Sequence, residues 1–291
     1  MEEVNLTSPR EIKKILERYK LYPRKKWGQN FLVDGNIVAK ILREVSPEES
    51  DHILEVGPGL GTLTLPMVKT KAFVSAFEID RGFVLFLKEL LAPYNNHALI
   101  EGDIRRISLR DYCDNFSGDI CKRIKLVANL PYYITSPFIY EITGGNIYWD
   151  KAVLMIQKEM AQKLVAEAGS SLYGTISVLC GAFTKTKIVF PVSPNVFFPL
   201  PKVDSAVVVI EPQECMLNFG EKDFFIRLVS GLFNYRRKTV LNTLSRLFGN
   251  NRPVYKKMLA DAGIAEDARP ESLPPALFAN LSLLIYNSTV D

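Results

Sequence analysis

The sequence predicts an α/β protein: a doubly wound, mostly parallel sheet followed by a smaller all-α domain. Three observations carry this. Short apolar runs alternate with amphipathic stretches through the first part of the chain, the pattern of strands joined by crossover helices. A glycine loop, Gly57-Pro58-Gly59-Leu60-Gly61, stands between the first such run and the helix after it. Beyond Pro212 the strand-like runs cease and helical periodicity holds to the end.

Taken in order, Ser8 is placed to cap a first helix. Pro9 sits at its first position, and Glu11 completes a capping box ahead of Ile12, Ile15 and Leu16. The segment from Tyr22 to Leu32 is broken by Pro23 and Gly28, so it reads as a basic, aromatic-bearing loop before a helix over Gly35–Val45. Strands are expected at 53–56, 72–77, 98–100, 126–128 and 152–156, with helices over 61–70, 81–91, 136–143 and 158–168 between most of them. Two later runs, 186–190 and 206–210, lack an intervening helix and are expected to pair as an antiparallel edge. That gives a seven-stranded sheet. The change of character places a first domain at 1–211 and a helical one at 212–291.

With 291 residues, 47% apolar and 23% charged, the chain has room for a large core and a smaller second domain. No uninterrupted apolar stretch reaches the length that spans a bilayer, and the start lacks the basic-then-apolar pattern of a secretory signal. Cys113, Cys121, Cys180 and Cys215 form no CxxC pair, and His52 and His97 stand alone. No metal site or disulfide framework is expected, and the plain location is the cytoplasm. The two histidines are expected at the surface or a strand edge. A monomer is expected, since no helix shows an unclaimed apolar stripe.

The net charge of +4 conceals an uneven distribution. Residues 222–257 hold nine Lys or Arg against one acid, Asp223, so the rest of the chain is net acidic. A second basic cluster runs from Lys13 to Lys26 and includes Arg24 and Lys25. Such clusters suit a polyanion, and the interleaved Phe233, Tyr235 and Tyr255 suit nucleic-acid bases. The plain alternative is a solvated basic face.

The chemistry concentrates at strand ends. Asn129-Leu130-Pro131-Tyr132 follows the apolar run at 124–128. Pro131 fixes its own φ and biases Leu130 toward extended geometry. Asn129 then offers a side-chain carbonyl, Leu130 a backbone carbonyl and Tyr132 a flat π-face, a set that suits the exocyclic amine of adenine. The glycine loop lacks the third glycine of the dinucleotide fingerprint, because Thr62 stands there, and it lacks the lysine of a triphosphate loop. Glu78 ends the second strand, where an acid accepts ribose hydroxyls, and Asp103 ends the third, where it can accept from an adenine amine. Glu55, Gly57, Glu78, Asp103 and Asn129 are thus expected on one rim.

Asn129-Leu130-Pro131-Tyr132, the Glu55-to-Gly61 loop, Gly28-Gln29-Asn30-Phe31-Leu32, Phe197-Phe198-Pro199-Leu200-Pro201-Lys202-Val203-Asp204-Ser205 and Arg236-Arg237-Lys238-Thr239 together resemble the ribosomal RNA adenine dimethyltransferases. The resemblance covers nearly the whole chain and is closest to the bacterial small-subunit enzymes, which dimethylate N6 of two adjacent adenines in a hairpin loop near the 3′ end. It implies a Rossmann-like methyltransferase sheet and S-adenosylmethionine as cofactor. That cofactor would touch Asn30, Leu32, Gly57, Glu78, Asp103 and Asn129, and Glu55, Gly59 and Gly61 of the loop are expected to bind it too.

The resemblance also implies that Asn129, Leu130, Tyr132 and Phe197 handle the target base, Phe197 stacking on it while Phe198 packs in the core. Arg24, Lys25, Lys26, Arg236, Arg237 and Lys238 would face RNA. The partner would be small-subunit rRNA or a 30S assembly intermediate. Tyr133 departs from the asparagine frequent in the family, and Trp27 from its phenylalanine.

Two rival readings stand beside this one. Large-subunit dimethyltransferases that confer macrolide-type resistance share the glycine loop and tetrapeptide, though isoleucine often replaces leucine at the position of Leu130. The arm before Gly28 and the Arg236-Arg237-Lys238 run favour the small subunit. An assembly factor acting mainly by binding is the other alternative. A DNA adenine methyltransferase is disfavoured, because such enzymes usually carry two prolines after the amide.

Overall fold

The computed structural model describes residues 4–24, 28–116, 123–144, 147–215 and 217–290. Lys25, Lys26, Trp27 and Cys121 lie outside the described residues. The chain divides into two compact units, Met1–Phe138 with Ile147–Ala161 and Lys187–Glu211, and Ile139–Asn146 with Gln162–Thr186 and Pro212–Asp291.

The first unit opens with helix α1 (Pro9–Arg18), where the Ser8 side chain accepts from the Glu11 amide. Only half of the expected capping box forms. The Glu11 carboxylate turns to the Lys14 ammonium at 2.8 Å, and the Ser8 N–H goes to the Asn5 carbonyl instead. A two-residue strand β1 (Phe31–Leu32) and helix α2 (Gly35–Val45), capped by the Asp34 side chain, lead into the sheet.

Strands β2 (Asp51–Val56), β3 (Phe73–Glu78), β4 (His97–Glu101), β5 (Arg123–Asn129) and β6 (Lys151–Gln157) are parallel neighbours in the order β4-β3-β2-β5-β6. Between them come α3 (Thr64–Val68), α4 (Arg81–Leu91), α5 (Leu109–Asp114) and α6 (Thr135–Thr143), and α7 (Lys158–Leu164) follows β6. The chain runs outward from β2 through β3 and β4, then returns to place β5 on the other side of β2. That reversal opens a crevice beyond the carboxyl ends of β2 and β5, the ligand position of such sheets.

The two late runs are neighbours at one edge of the sheet, as expected. Strand β9 (Ser205–Pro212) inserts antiparallel beside β6, and β7 (Thr184–Val192) lies outside β9. The short β8 (Phe197–Phe198) pairs antiparallel with β1. β9 is buried over Ser205–Ile210, as a strand with neighbours on both sides must be.

Beneath one face of this unit lie Val38, Ile41, Val45, Ile53, Met67, Val127 and Val153. Beneath the other α1 packs Ile12, Ile15 and Leu16 on Phe31, Phe83, Phe86 and Leu87. His52 was expected at the surface or a strand edge but is 1% exposed on β2, a strand inside the sheet. Its Nε2 lies 2.7 Å from Ser75 Oγ, which also accepts from the Tyr112 hydroxyl, and its ring meets Phe116. Burial lowers its pKa to about 4.

In the second unit α8 (Thr175–Phe183), α9 (Phe219–Phe233), α10 (Val240–Leu247), α11 (Arg252–Asp261) and α12 (Pro275–Val290) enclose Phe225, Leu228, Leu232, Leu244, Phe278 and Leu281. The sequence reading kept residues 162–186 in the first domain. In the structure Tyr173, Val178, Leu179 and Phe183 join this second core, and the Tyr173 hydroxyl donates to the Leu273 carbonyl at 2.7 Å. A helix with so apolar a composition must bury several faces, and only a bundle offers them.

Candidate active site

The carboxyl ends of β2 to β5 and the segment after Gly28 line one cleft of about 850 Å³, including its open mouth. Among its lining residues are Asn30, Leu32, Glu55, Gly57, Gly59, Glu78, Asp103 and Asn129. The five positions expected on one rim are therefore brought together, with Asn30, Leu32 and Gly59 beside them.

The loop after β2 is held by the strand next to it. The Gly57 amide continues the ladder to the Phe77 carbonyl at 3.0 Å, and the Gly59 amide donates to Glu78 Oε2 at 3.0 Å. Glu78 Oε1 accepts from the Asp80 amide at 2.9 Å. Gly57 takes φ +70°, a left-handed conformation open to glycine, and places bare backbone on the cleft. Gly61 does not line it. A Cβ there would lie 2.8 Å from Leu87 Cδ2, so this glycine lets the loop pack on α4.

Two buried acids give the cleft its character. Glu55 is 2% exposed, and its Oε2 has no hydrogen-bond partner among the described residues. Loss of hydration pushes its pKa up to about 8, partly offset by the Thr64 hydroxyl and reinforced by Glu78. Glu78 is also raised, chiefly by burial, against the pull of its amide donors. Asp103 differs: the Arg105 guanidinium grips both of its oxygens, at 2.6 and 3.0 Å, and holds its carboxyl below the usual range. An orphaned acid, a glycine cradle and acids at successive strand ends fit a ligand rich in hydroxyl and amino donors. They fit S-adenosylmethionine.

The tetrapeptide borders this cleft. Asn129 Nδ2 donates to the Asn30 carbonyl at 2.8 Å. A carbonyl can only accept, so the amide nitrogen faces Asn30 and Oδ1 is left as the free acceptor. Leu130 is 2% exposed, and its amide is fixed to the Met155 carbonyl of β6 at 3.0 Å. A Cβ on Gly28 would sit 3.5 Å from Pro131 Cβ, which shows how closely the basic arm packs on the turn. Tyr132 begins a short 3-10 turn, is half-buried, and lies beside the cleft without lining it.

Phe197 departs from expectation. It was expected to stack on the base with Phe198 in the core, yet Phe197 is the core residue at 5% exposure. Phe198 is half-buried beneath the Lys13 ammonium. Successive residues of a strand face opposite sides, and the pairing of Phe197 with Leu32 turns Phe197 inward.

Sequence reasoning missed Ile79, Ile104 and Tyr133, which also line the cleft. The first two directly follow Glu78 and Asp103, and that adjacency was a usable signal.

A family model described as ribosomal RNA adenine dimethylase matches residues 21–287. The chain belongs to that family. It is 40% identical to the ribosomal RNA small subunit methyltransferase A of Pediococcus pentosaceus over 96% of this chain and 95% of the relative. It is 35% identical to the protein of the same name in Natranaerobius thermophilus over 98% of each. Among solved structures, a dimethyladenosine transferase from Plasmodium falciparum superposes with TM-score 0.72 at 27% identity, covering 89% of this chain and 98% of that one. The 23S rRNA methyltransferase ErmE, at 22% identity and TM-score 0.66 over 88% of this chain, shares the fold.

The cations expected to face RNA in this dimethylase family member differ in their freedom. Arg236 is tied down: its Nε meets Glu271 Oε2 at 2.6 Å, and its terminal nitrogens reach the Ser171 carbonyl. Arg237 and Lys238 are exposed in the turn before α10. Arg24 is exposed, with its Nε 3.6 Å from Asp80 Oδ2.

Proposed function

We propose that this protein dimethylates N6 of two adjacent adenines in a hairpin loop near the 3′ end of small-subunit rRNA, using S-adenosylmethionine. The observation that carries this is the Asn129 amide, whose nitrogen is held by Asn30 so that its oxygen is free at the edge of the cleft. The full-length likeness to small subunit methyltransferases A supports the choice of subunit.

The cofactor supplies an activated methyl group on a sulfonium. Asn30, Leu32, Gly57, Glu78, Asp103 and Asn129 would hold it, with Glu55 and Gly59 shaping its loop. The protein's main task is to position the acceptor and exclude water. The N6 lone pair of adenine is delocalised into the ring and is a poor nucleophile. Asn129 Oδ1 and the Leu130 carbonyl accept its N–H groups, draw the nitrogen toward tetrahedral geometry and turn the lone pair toward the methyl.

Such positioning supplies about 7–11 kcal/mol in favourable cases. Tyr132 stacks on the flipped base, worth about 1–3 kcal/mol, which offsets unstacking of similar size. Phe197 backs the Asn30–Leu32 segment through its pairing with Leu32. Arg24, Lys25, Lys26, Arg237 and Lys238 contact phosphates, giving binding that weakens with salt.

The test is transfer of labelled methyl to small subunits lacking their adenine methylation, beside naked large-subunit RNA. Label on N6 of adjacent small-subunit adenines is expected. Label on the large-subunit RNA alone would move the protein to the resistance class. Cofactor binding without label on either would favour an assembly factor.

A further inference from the structure

We propose that Arg105 is a positioning residue that ties Asp103, the acid at one end of the cleft, to Tyr133, the aromatic ring that follows the acceptor tetrapeptide. This rests on the reading of the cleft as the S-adenosylmethionine site. Arg105 lies in a 3-10 turn, Ile104–Arg106, capped by the Asp103 side chain. Its guanidinium does two things at once. Nε and Nη2 fork onto the two Asp103 oxygens at 3.0 and 2.6 Å, and Cζ lies 5.2 Å from the centre of the Tyr133 ring. Asp103 and Tyr133 both line the cleft.

The fork has a chemical consequence. Asp103 Oδ1 also accepts the Arg105 amide at 3.1 Å, so three donors from one residue occupy this carboxylate. An ionised carboxylate has roughly four acceptor positions, which leaves one for a ligand. Arg105 thereby fixes the rotamer of the acid and restricts it to a single incoming N–H.

The other face of the guanidinium holds a ring that is 39% exposed and joined directly to Tyr132. Without Arg105 that ring has no cation over it among the described residues, and the turn bearing Asn129 and Tyr132 loses a lateral support. Lysine cannot replace this arrangement, because its point charge neither forks onto a carboxylate nor lies flat on a ring. The pairing couples ligand binding at Asp103 to the acceptor turn through one side chain.

The test uses the full chain and the variants Arg105→Ala, Arg105→Lys, Tyr133→Leu and the double variant Arg105→Ala/Tyr133→Leu. S-adenosylmethionine is titrated calorimetrically without RNA, and kcat and KM are then measured on undermethylated small subunits. Arg105→Ala is expected to weaken cofactor binding by roughly three- to tenfold, modest because the pair is half-exposed. Arg105→Lys should recover little of it. In kcat the double variant should be no worse than the poorer single variant, since each change breaks the same contact.

Native affinity in Arg105→Ala, full recovery by lysine, or additive losses in kcat would each overturn the proposal. A wild-type chain that bound no S-adenosylmethionine would overturn the reading of the cleft as well. Unchanged affinity in the variant alone would overturn only the role of Arg105.

Discussion

Asn129 and Asn30, 99 residues apart in the chain, meet at 2.8 Å through a side-chain nitrogen and a main-chain oxygen. This bond decides which end of the Asn129 amide is presented as an acceptor, and it joins the basic N-terminal arm to the end of β5.

Asn129→Ala removes the acceptor, and kcat should fall by roughly 10²–10³, the scale seen when one positioned hydrogen-bonding group is lost from a transition state. Cofactor affinity should change far less. Asn129→Asp keeps an acceptor oxygen but sets its second oxygen against the Asn30 carbonyl, so it should be no better than alanine. Single-turnover methyl transfer measures both, and native rates in either variant would contradict the role assigned to the amide.

The glycines of the loop should separate stability from binding. Gly61→Ala combines φ +78° with a Cβ 2.8 Å from Leu87, a cost of about 2–4 kcal/mol from strain and overpacking. Its Tm should drop while cofactor affinity, measured below that Tm, stays near native. Gly57→Ala meets nothing nearer than Pro131 Cδ at 3.9 Å. It should cost only about 1–2 kcal/mol of strain, yet weaken cofactor binding more, because Gly57 lines the cleft.

Buried ionisable groups set the pH dependence of the ligand-free protein. Glu55, raised from 4.5 to about 8, binds more protons folded than unfolded, so its contribution is full at low pH and is lost as pH rises toward 8. His52, lowered from 6.5 to about 4, acts in the opposite sense: its contribution is full above 6.5 and is lost as pH falls toward 4. The two oppose each other between about 4.5 and 6.5. Above 6.5 His52 no longer opposes, and Glu78, raised in the same sense by burial, adds to Glu55, so stability should decline from pH 6.5 to 8 and the decline should be shallower in Glu55→Gln. Denaturant midpoints across this range are the measurement, and an unchanged slope in the variant would contradict the assignment.

Arg236 and its two neighbours should behave differently. Arg237→Ala with Lys238→Ala should weaken rRNA binding and reduce the slope of log affinity against log salt by about one per cation, leaving Tm unchanged. Arg236→Ala, which breaks the half-exposed pair with Glu271, should cost under about 1 kcal/mol of stability. Filter binding at several salt concentrations, alongside thermal melts, distinguishes the two.

Much of this was legible in the residues. Helix α2 runs over Gly35–Val45 as its periodicity and Asp34 cap require, and α4 covers Arg81–Leu91. Each of the seven apolar runs became a strand of the sheet. The rim acids Glu55, Glu78 and Asp103 were readable because each stands at or within two residues of a strand's carboxyl end, where doubly wound sheets place their ligands.

What the sequence determined by itself was local and periodic: which segments are strands and helices, where the loop must be glycine, and which amide, proline and aromatic stand together. Tertiary structure decided the rest. It turned Phe197 into the core, enclosed His52 and drew residues 162–186 into the second unit. It also set Asn30 against Asn129 and Arg105 against Tyr133. These outcomes depend on strand order and side-chain packing among residues distant in the chain, and the spacing of residues along one segment contains no information about which distant group will arrive beside it.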